Sequence, residues 1–178
     1  SRNFTNLFIA PLKLKEIIVA LIFTALVRTL IGLVPAILLT SPLFGVSILN
    51  LGFPLFLLFL SLYIFGITLG LFVSAGLIRF GPSFENIAWS SLFLLAPLGC
   101  IYYPIEILPN FFQIIAKCLP LVYIFDETRN ILINGFVNYE NLKQAYFLNL
   151  VYLTFGIGLF YFSFLKARIK GTLINMGE

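Results

Sequence analysis

Long apolar segments are the feature of this sequence that most limits how the chain can fold. Residues 17–39 and 53–78 are two such segments. Each is at least as long as the roughly 20 residues that an α-helix needs to cross a hydrocarbon core. Hydrophobic residues make up 61% of the chain and charged residues 10%, whereas soluble domains average about 45–50% and about 25%. The sequence therefore predicts an all-α integral membrane protein.

The apolar sequence that follows is broken by prolines. Residues 87–104 are predicted as a third span, but the next apolar segment, 111–119, is too short to cross. Nine helical residues rise only about 14 Å against a hydrocarbon core of about 30 Å. Pro109 and Pro120 bound this segment, and irregular backbone survives at membrane depth only where protein or water satisfies its polar groups. We therefore expect 105–136 to form a re-entrant helical hairpin on the outer side, packed against a pathway through the membrane.

The charges between the apolar segments predict the orientation of the chain. A fourth span is expected at 144–165, followed by a basic cytoplasmic tail at 166–178. Four spans return the chain to its starting side, and that side carries the excess of Lys and Arg that marks the cytoplasm. The cytoplasmic set is Arg2, Lys13, Lys15, Arg79, Lys166, Arg168 and Lys170, and the outer set is Lys117, Arg129 and Lys143 with Glu106, Asp126, Glu127 and Glu140.

The proline-broken stretch also carries a family resemblance. Leu98-Gly99, Leu108-Pro109, the run from Pro120 to Tyr123, and Arg129 follow one another in a spacing that resembles the signature of ABC-2 type transporter permeases. These are the membrane subunits of ABC exporters for polysaccharides, lipid-linked glycans and drugs. The resemblance implies a permease without a catalytic site of its own. It also implies a separate ABC ATPase subunit that holds ATP and Mg²⁺, and a second permease copy, most simply as a homodimer.

The resemblance also implies a role for residues 1–16. Before the third span of the family lies a cytoplasmic coupling helix, which sits in a cleft of the ATPase subunit. The chain 1–178 would then be one transmembrane domain, N-terminally incomplete, corresponding to the C-terminal two-thirds of the usual subunit. A second interpretation stays open, in which 1–16 is an interfacial helix held by its lysines at anionic lipid headgroups. The candidate ATPase-contact residues are Asn3, Phe4, Leu7, Ala10 and Pro11.

Four residues inside the first two spans are candidates for the pathway or for an interface. Arg28 lies within an apolar span, where an arginine costs roughly 2.5–3.5 kcal/mol and should face protein or water. It either faces the pathway or a subunit interface, or it snorkels or contacts a carbonyl. Gly66, Gly70 and Ser74 recur every four residues and would let another helix approach closely. That helix could belong to the same subunit or to a second one.

The outer hairpin supplies the remaining candidate residues. Asp126 and Arg129 stand at i and i+3, so they are expected to pair on one helix face. Glu127 either orients an anionic substrate at the exit or is a solvated charge at headgroup level. Gly135 is expected to end the second helix of the hairpin. The hairpin candidates are Pro109, Pro120, Tyr123, Asp126 and Arg129.

Other classes of function find little support in the sequence. Histidine is absent, and GxxxxGK[ST], GxSxG and HExxH do not occur. Cys100 and Cys118 are too few for a metal site. We expect them to be two buried thiols, or a disulfide if both lie outside and adjacent. The basic residues flank apolar segments, which indicates membrane orientation, contact with membrane lipid and no nucleic-acid binding. Two alternative functions remain: a non-transporting scaffold or assembly subunit and, with less support, a membrane-embedded enzyme. The expected location is a bacterial inner (cell) membrane, alternatively a plastid membrane, and the sequence does not identify the substrate.

Overall fold

The computed structural model describes residues 14–45 and 52–170, and every regular element in them is helical. The contacts divide the chain into two units; of the described residues, 14–45 belong to the first and 52–170 to the second. The helices are α1 (Leu14–Phe44), α2 (Phe53–Phe80), α3 (Phe84–Leu98), α4 (Asn110–Ala116), α5 (Pro120–Asn134) and α6 (Tyr139–Lys170), with a 3₁₀ turn at Ile105–Ile107 between α3 and α4.

Three of the described helices are long and apolar enough to cross a membrane. The qualifying segments are Ile22–Leu43 in α1, Phe53–Phe80, which is α2, and Tyr139–Ile169 in α6. They contain the predicted spans 53–78 and 144–165 entirely and most of the predicted span 17–39. The all-helical, membrane-spanning class expected from the sequence is therefore confirmed.

Helices α2 and α6 pack against each other in parallel. Tyr146 Oη donates a hydrogen bond to the carbonyl oxygen of Leu57 at 2.8 Å. One turn further along both helices, Asn149 Nδ2 donates to Ser61, reaching its carbonyl oxygen at 2.9 Å and its Oγ at 2.8 Å. Residue numbers rise together along the two helices, so α2 and α6 run in the same direction.

A parallel pair requires the connecting chain to return along its length. Helix α3 begins this return at a tight turn, where the ring of Phe84 lies directly over Gly76 of α2. The helix ends at Leu98, short of the predicted span end at 104. Gly99 follows it, and the backbone of the next residue, Cys100, is left-handed at φ 53°. At 15 residues, α3 rises about 22 Å, and it is not among the three span-capable helices.

The glycine stripe of α2 faces away from α6. A Cβ added at Gly66 or Gly70 would meet no atom within 4 Å, and no element of the 52–170 unit covers these two residues. The α6 contact instead uses the face that carries Thr68, whose Cγ2 would lie 3.7 Å from a Cβ on Gly156. Gly66 and Gly70 therefore contact no helix of the 52–170 unit, and polar and small residues on the opposite face of α2 form the contact with α6. The approach of another helix to Gly66, Gly70 and Ser74 stays a prediction.

Candidate functional site

The proline-broken hairpin has a small core of its own. Cys100, Ala116 and Val122 are buried together, at 0%, 0% and 4% exposure. Partly buried Tyr103, Ile105, Leu108 and Leu119 surround them. The residues of this core come from the α3–α4 connection, α4 and α5, so the broken stretch folds as one packed unit.

Each break in the hairpin coincides with a residue that ends or starts a helix. Pro109 precedes the first residue of α4 in extended conformation, and Pro120 is the first residue of α5. Gly135 ends α5 with a left-handed φ of 75°, which glycine adopts without steric cost. The predicted helix boundaries at these three residues are confirmed.

Side chains satisfy the carbonyl groups that the breaks leave open. A carbonyl oxygen at a helix end has no intrahelical partner and needs another donor when it lies in an apolar environment. Besides two carbonyls that accept from the thiols of Cys100 and Cys118, five carbonyls of the segment 97–118 accept a hydrogen bond from a hydroxyl, amide or guanidinium group. The pairs are Tyr103 Oη to Pro97, Arg129 Nη1 to Cys100, Gln113 Nε2 to Leu108, Tyr123 Oη to Lys117 and Tyr152 Oη to Cys118, at 2.8 to 3.1 Å.

Arg129 joins the two ends of the hairpin. Its Nη2 lies 3.8 Å from Asp126 Oδ1, as the i, i+3 spacing predicts. Its Nη1 reaches across the hairpin to the carbonyl oxygen of Cys100 at 2.8 Å. Nη2 is buried and donates no hydrogen bond to any described residue. The guanidinium therefore holds the strained Cys100 turn against α5.

Glu127 is a structural residue at the junction of α5 and α6. Its side chain is fully buried, so the expected solvated charge at headgroup level is wrong. Oε1 accepts a hydrogen bond from the backbone N–H of Asn138 at 2.6 Å, and Oε2 accepts one from Asn141 Nδ2 at 3.2 Å. The carboxylate thus ties α5 to the start of α6, and both of its oxygens are occupied.

The contacts with α6 show how far along that helix the hairpin extends. Glu127 lies beside Asn138 and Asn141, at the start of α6. The α4–α5 turn lies beside Tyr152, whose hydroxyl donates to Cys118 at 3.1 Å. The helical rise from Pro120 to Glu127 places the turn about 10 Å further along α6 than Glu127. Helix α5 therefore runs antiparallel to α6, with the α4–α5 turn at the end that lies nearer the middle of α6.

The remaining chemistry of the described residues is sparse. Cys100 is buried and Cys118 is exposed, and both are free thiols, so the expectation of two buried thiols is wrong for Cys118. In the described ranges, no group of three or more His, Cys, Asp or Glu side chains is close enough to hold a metal ion. The described side chains of this region pack together, donate hydrogen bonds to backbone carbonyls and carry isolated charges.

The other candidate residues divide into three groups. Asn3, Phe4, Leu7, Ala10 and Pro11 lie outside the described residues. Arg28 lies near the middle of α1, inside the segment Ile22–Leu43. The five hairpin candidates, Pro109, Pro120, Tyr123, Asp126 and Arg129, are brought together as described above.

Sequence reasoning missed two residues that hold this region together, Asn149 and Tyr152. Asn149 is 1% exposed and joins α6 to α2. Tyr152 joins α6 to the α4–α5 turn. A detectable signal existed for the first, since Asn149 is the one amide side chain within 145–165. A polar amide in an apolar span marks a helix contact.

Comparison with known proteins gives one positive result. A family model described as ABC-2 type transporter matches residues 1–133 of the 178 residues. The matched range includes α1 to α4 and nearly all of α5. No curated protein and no solved structure matches the chain.

Proposed function

Because the chain belongs to the ABC-2 type transporter family, we propose that it is the permease subunit of an ABC exporter, which moves substrate with ATP hydrolysed by a separate ATPase subunit. The family match over 1–133 is the observation that carries this proposal. The span-capable helices agree with a multi-pass membrane protein. In this proposal ATP and Mg²⁺ bind to the ATPase, and the permease contributes no catalytic residue.

The proposed topology has four membrane crossings and one re-entrant hairpin. The parallel contact of α2 and α6 supports it, because two parallel spans need an odd number of crossings between them. Helix α3 with the chain after it supplies that crossing, from the turn at Gly76 and Phe84. The hairpin 105–136 then enters and leaves on the outer side, so that α6 starts outside.

The capped carbonyls support a hairpin that lies at membrane depth. In water, solvent would satisfy these groups, whereas in the hydrocarbon layer each unsatisfied carbonyl costs several kcal/mol. Tyr123 and Tyr152 supply the hydroxyls at the α4–α5 turn. The hairpin is thereby able to border the pathway with irregular backbone.

The proposed partners are the ABC ATPase, a second permease copy and membrane lipid. Residues 1–16 would form the coupling helix that contacts the ATPase, through Asn3, Phe4, Leu7, Ala10 and Pro11. The uncovered Gly66 and Gly70 face of α2 fits close approach of a helix from the second copy in a homodimer. The proposed location is a bacterial inner membrane, with a plastid membrane as the alternative.

The proposed mechanism uses energy released elsewhere. ATP binding closes the two ATPase subunits, and the coupling helices transmit that closure to the spans. The spans then move between two arrangements, of which the nucleotide favours one. The hairpin is joined to α6 by Glu127 and Tyr152, so it would move with α6 and shape or seal the outer exit.

Charge substitution in the coupling helix tests the proposal. Phe4→Asp or Leu7→Asp in the full-length permease should abolish co-purification of the ATPase and ATP-dependent flux. Asn6→Asp is the matched control, because Asn6 lies off the apolar stripe of Phe4 and Leu7, and it should retain both. Persistence of co-purification and of transport-coupled ATP hydrolysis in the Phe4 and Leu7 variants would refute the coupling assignment. A stable complex that never supports flux would indicate a scaffold subunit.

A further inference from the structure

Lys117 occupies an unusual position at the inner end of the hairpin. It lies in the turn between α4 and α5, and its side chain is exposed. Its backbone is held in place, because its N–H donates to Gln113 and its carbonyl oxygen accepts from Tyr123. In the part of the chain that the structure describes, no carboxylate lies within ion-pair distance of its ammonium group.

The depth of Lys117 in the proposed topology makes an unpaired ammonium group costly. The neighbouring carbonyl of Cys118 accepts from Tyr152, in a part of α6 whose exposed residues include Phe147, Leu150, Val151 and Phe155. In the proposed topology, Lys117 therefore lies about 10 Å inward from Glu127. An ammonium group at that level is costly unless it meets water, a carbonyl or an anion.

The carboxylates of α5 lie away from Lys117. The acidic residues of α5, Asp126 and Glu127, lie about two helical turns outward of Lys117. Glu127 already bonds to Asn138 and Asn141. The one charged residue within 17–39, Arg28, is also basic. At that level, a lysine without a carboxylate partner is satisfied by water or by an anion from outside the chain.

We propose that Lys117 faces a water-filled opening from the outer side and binds an anionic group, a phosphate or a carboxylate, of the exported substrate. The inference rests on the proposed function, in which this chain exports a substrate, and it narrows that substrate to the class of anions. The recognition is electrostatic: a single ammonium group at the inner end of the hairpin attracts an anion that passes the exit.

Cys118 provides a reporter beside Lys117. Its thiol is exposed, whereas Cys100, the other cysteine of the sequence, is fully buried. The full permease–ATPase complex is reconstituted in phosphatidylcholine vesicles with its outer face accessible. Thiosulfonate reagents that carry either a sulfonate or a trimethylammonium group are then added. The reaction rate of each reagent with Cys118 is divided by the rate of the same reagent with a small free thiol.

The charge of Lys117 should favour the anionic reagent. Lys117→Gln should lower the ratio of anionic to cationic rates on the order of tenfold, because one unit charge acts in opposite directions on the two reagents. Lys117→Arg keeps the charge and should keep the ratio, which controls for misfolding. A ratio that Lys117→Gln leaves unchanged overturns the inference. So does labelling of Cys118 only after detergent is added, because Lys117 would then reach the lipid boundary instead of an opening.

Two further conditions identify the source of the anion. Inorganic pyrophosphate, added outside phosphatidylcholine vesicles, should slow the anionic reagent if a free phosphate binds. Phosphatidylglycerol in the vesicles should slow it without pyrophosphate if a lipid headgroup binds. Either result supports an anion site where the slowing is lost in Lys117→Gln, and slowing by neither, or equal slowing in that variant, overturns it. Failure here leaves wild-type ATPase co-purification intact, whereas failure of the proposed function is read from the Phe4 and Leu7 variants.

Discussion

Replacing Glu127 with Gln should loosen the junction between the hairpin and α6. The buried carboxylate accepts hydrogen bonds from Asn138 N–H at 2.6 Å and from Asn141 Nδ2 at 3.2 Å. Glutamine keeps one acceptor but turns its amide group toward the amide of Asn141, so two donors meet. The loss of charge and one unsatisfied buried donor together cost about 2 kcal/mol, which is roughly thirtyfold in a local opening equilibrium.

Hydrogen–deuterium exchange of the peptide 136–142 measures this opening directly. In Glu127→Gln the amide of Asn138 should exchange roughly thirtyfold faster than in the wild type. The matched control is Glu140→Gln, because Glu140 pairs with Lys143 in an ion pair whose side chains are 71% and 74% exposed. An exposed pair of this kind contributes about 0–1 kcal/mol. Equal exchange in the two variants would refute the structural role of Glu127.

Two further substitutions test the packing of the hairpin and of α6. Gly99→Ala would place a Cβ 2.9 Å from the side chain of Leu121, so it should destabilise the detergent-solubilised permease by about 1–3 kcal/mol. In its control, Gly66→Ala, the added Cβ meets no atom within 4 Å. That control should leave the thermal midpoint of the isolated subunit unchanged or raise it. Asn149→Leu removes both hydrogen bonds to α2 and should lower the free energy of unfolding by about 0.6 kcal/mol, at most about 1.7. Its control, Gln144→Leu on the exposed side of α6, should lower it by less. Equal thermal midpoints for a variant and its control would contradict the contact that the variant removes.

Local chemistry explains what the sequence predicted well. Proline is favoured at the start of a helix, where its missing N–H costs nothing, and glycine adopts the left-handed conformation that ends one. Pro109, Pro120 and Gly135 therefore fix helix ends wherever the rest of the chain lies. The ion pair of Asp126 and Arg129 is equally local, because both residues belong to one helix face.

Contacts between distant segments explain what the sequence predicted poorly. Glu127 is buried only because Asn138 and Asn141 of the following segment enclose it. The choice of packing face on α2 depends on Asn149, which lies in a different helix. A small-residue stripe shows that close approach is possible without showing which helix approaches. For Gly66 and Gly70, the nearest long helix of the same unit uses the other face.

The early end of α3 has a similar origin. The apolar run continues to 104, so its hydrophobicity gives no reason to stop at Leu98. The helix stops because Gly99 lies against Leu121 and the left-handed turn at Cys100 is held by Arg129. Apolar length predicts that a segment enters the membrane, and tertiary contacts decide where its helix ends.

The side of the membrane on which α6 begins is the most direct test of this account. In a Cys118→Ser background, with buried Cys100 retained, Lys143→Cys and Lys166→Cys are treated with a membrane-impermeant maleimide in intact cells. If the hairpin returns to the outer side, Lys143→Cys is labelled without permeabilisation and Lys166→Cys only after it. Labelling of Lys143→Cys only after permeabilisation would mean that 111–119 is part of a full crossing, and it would contradict the re-entrant hairpin.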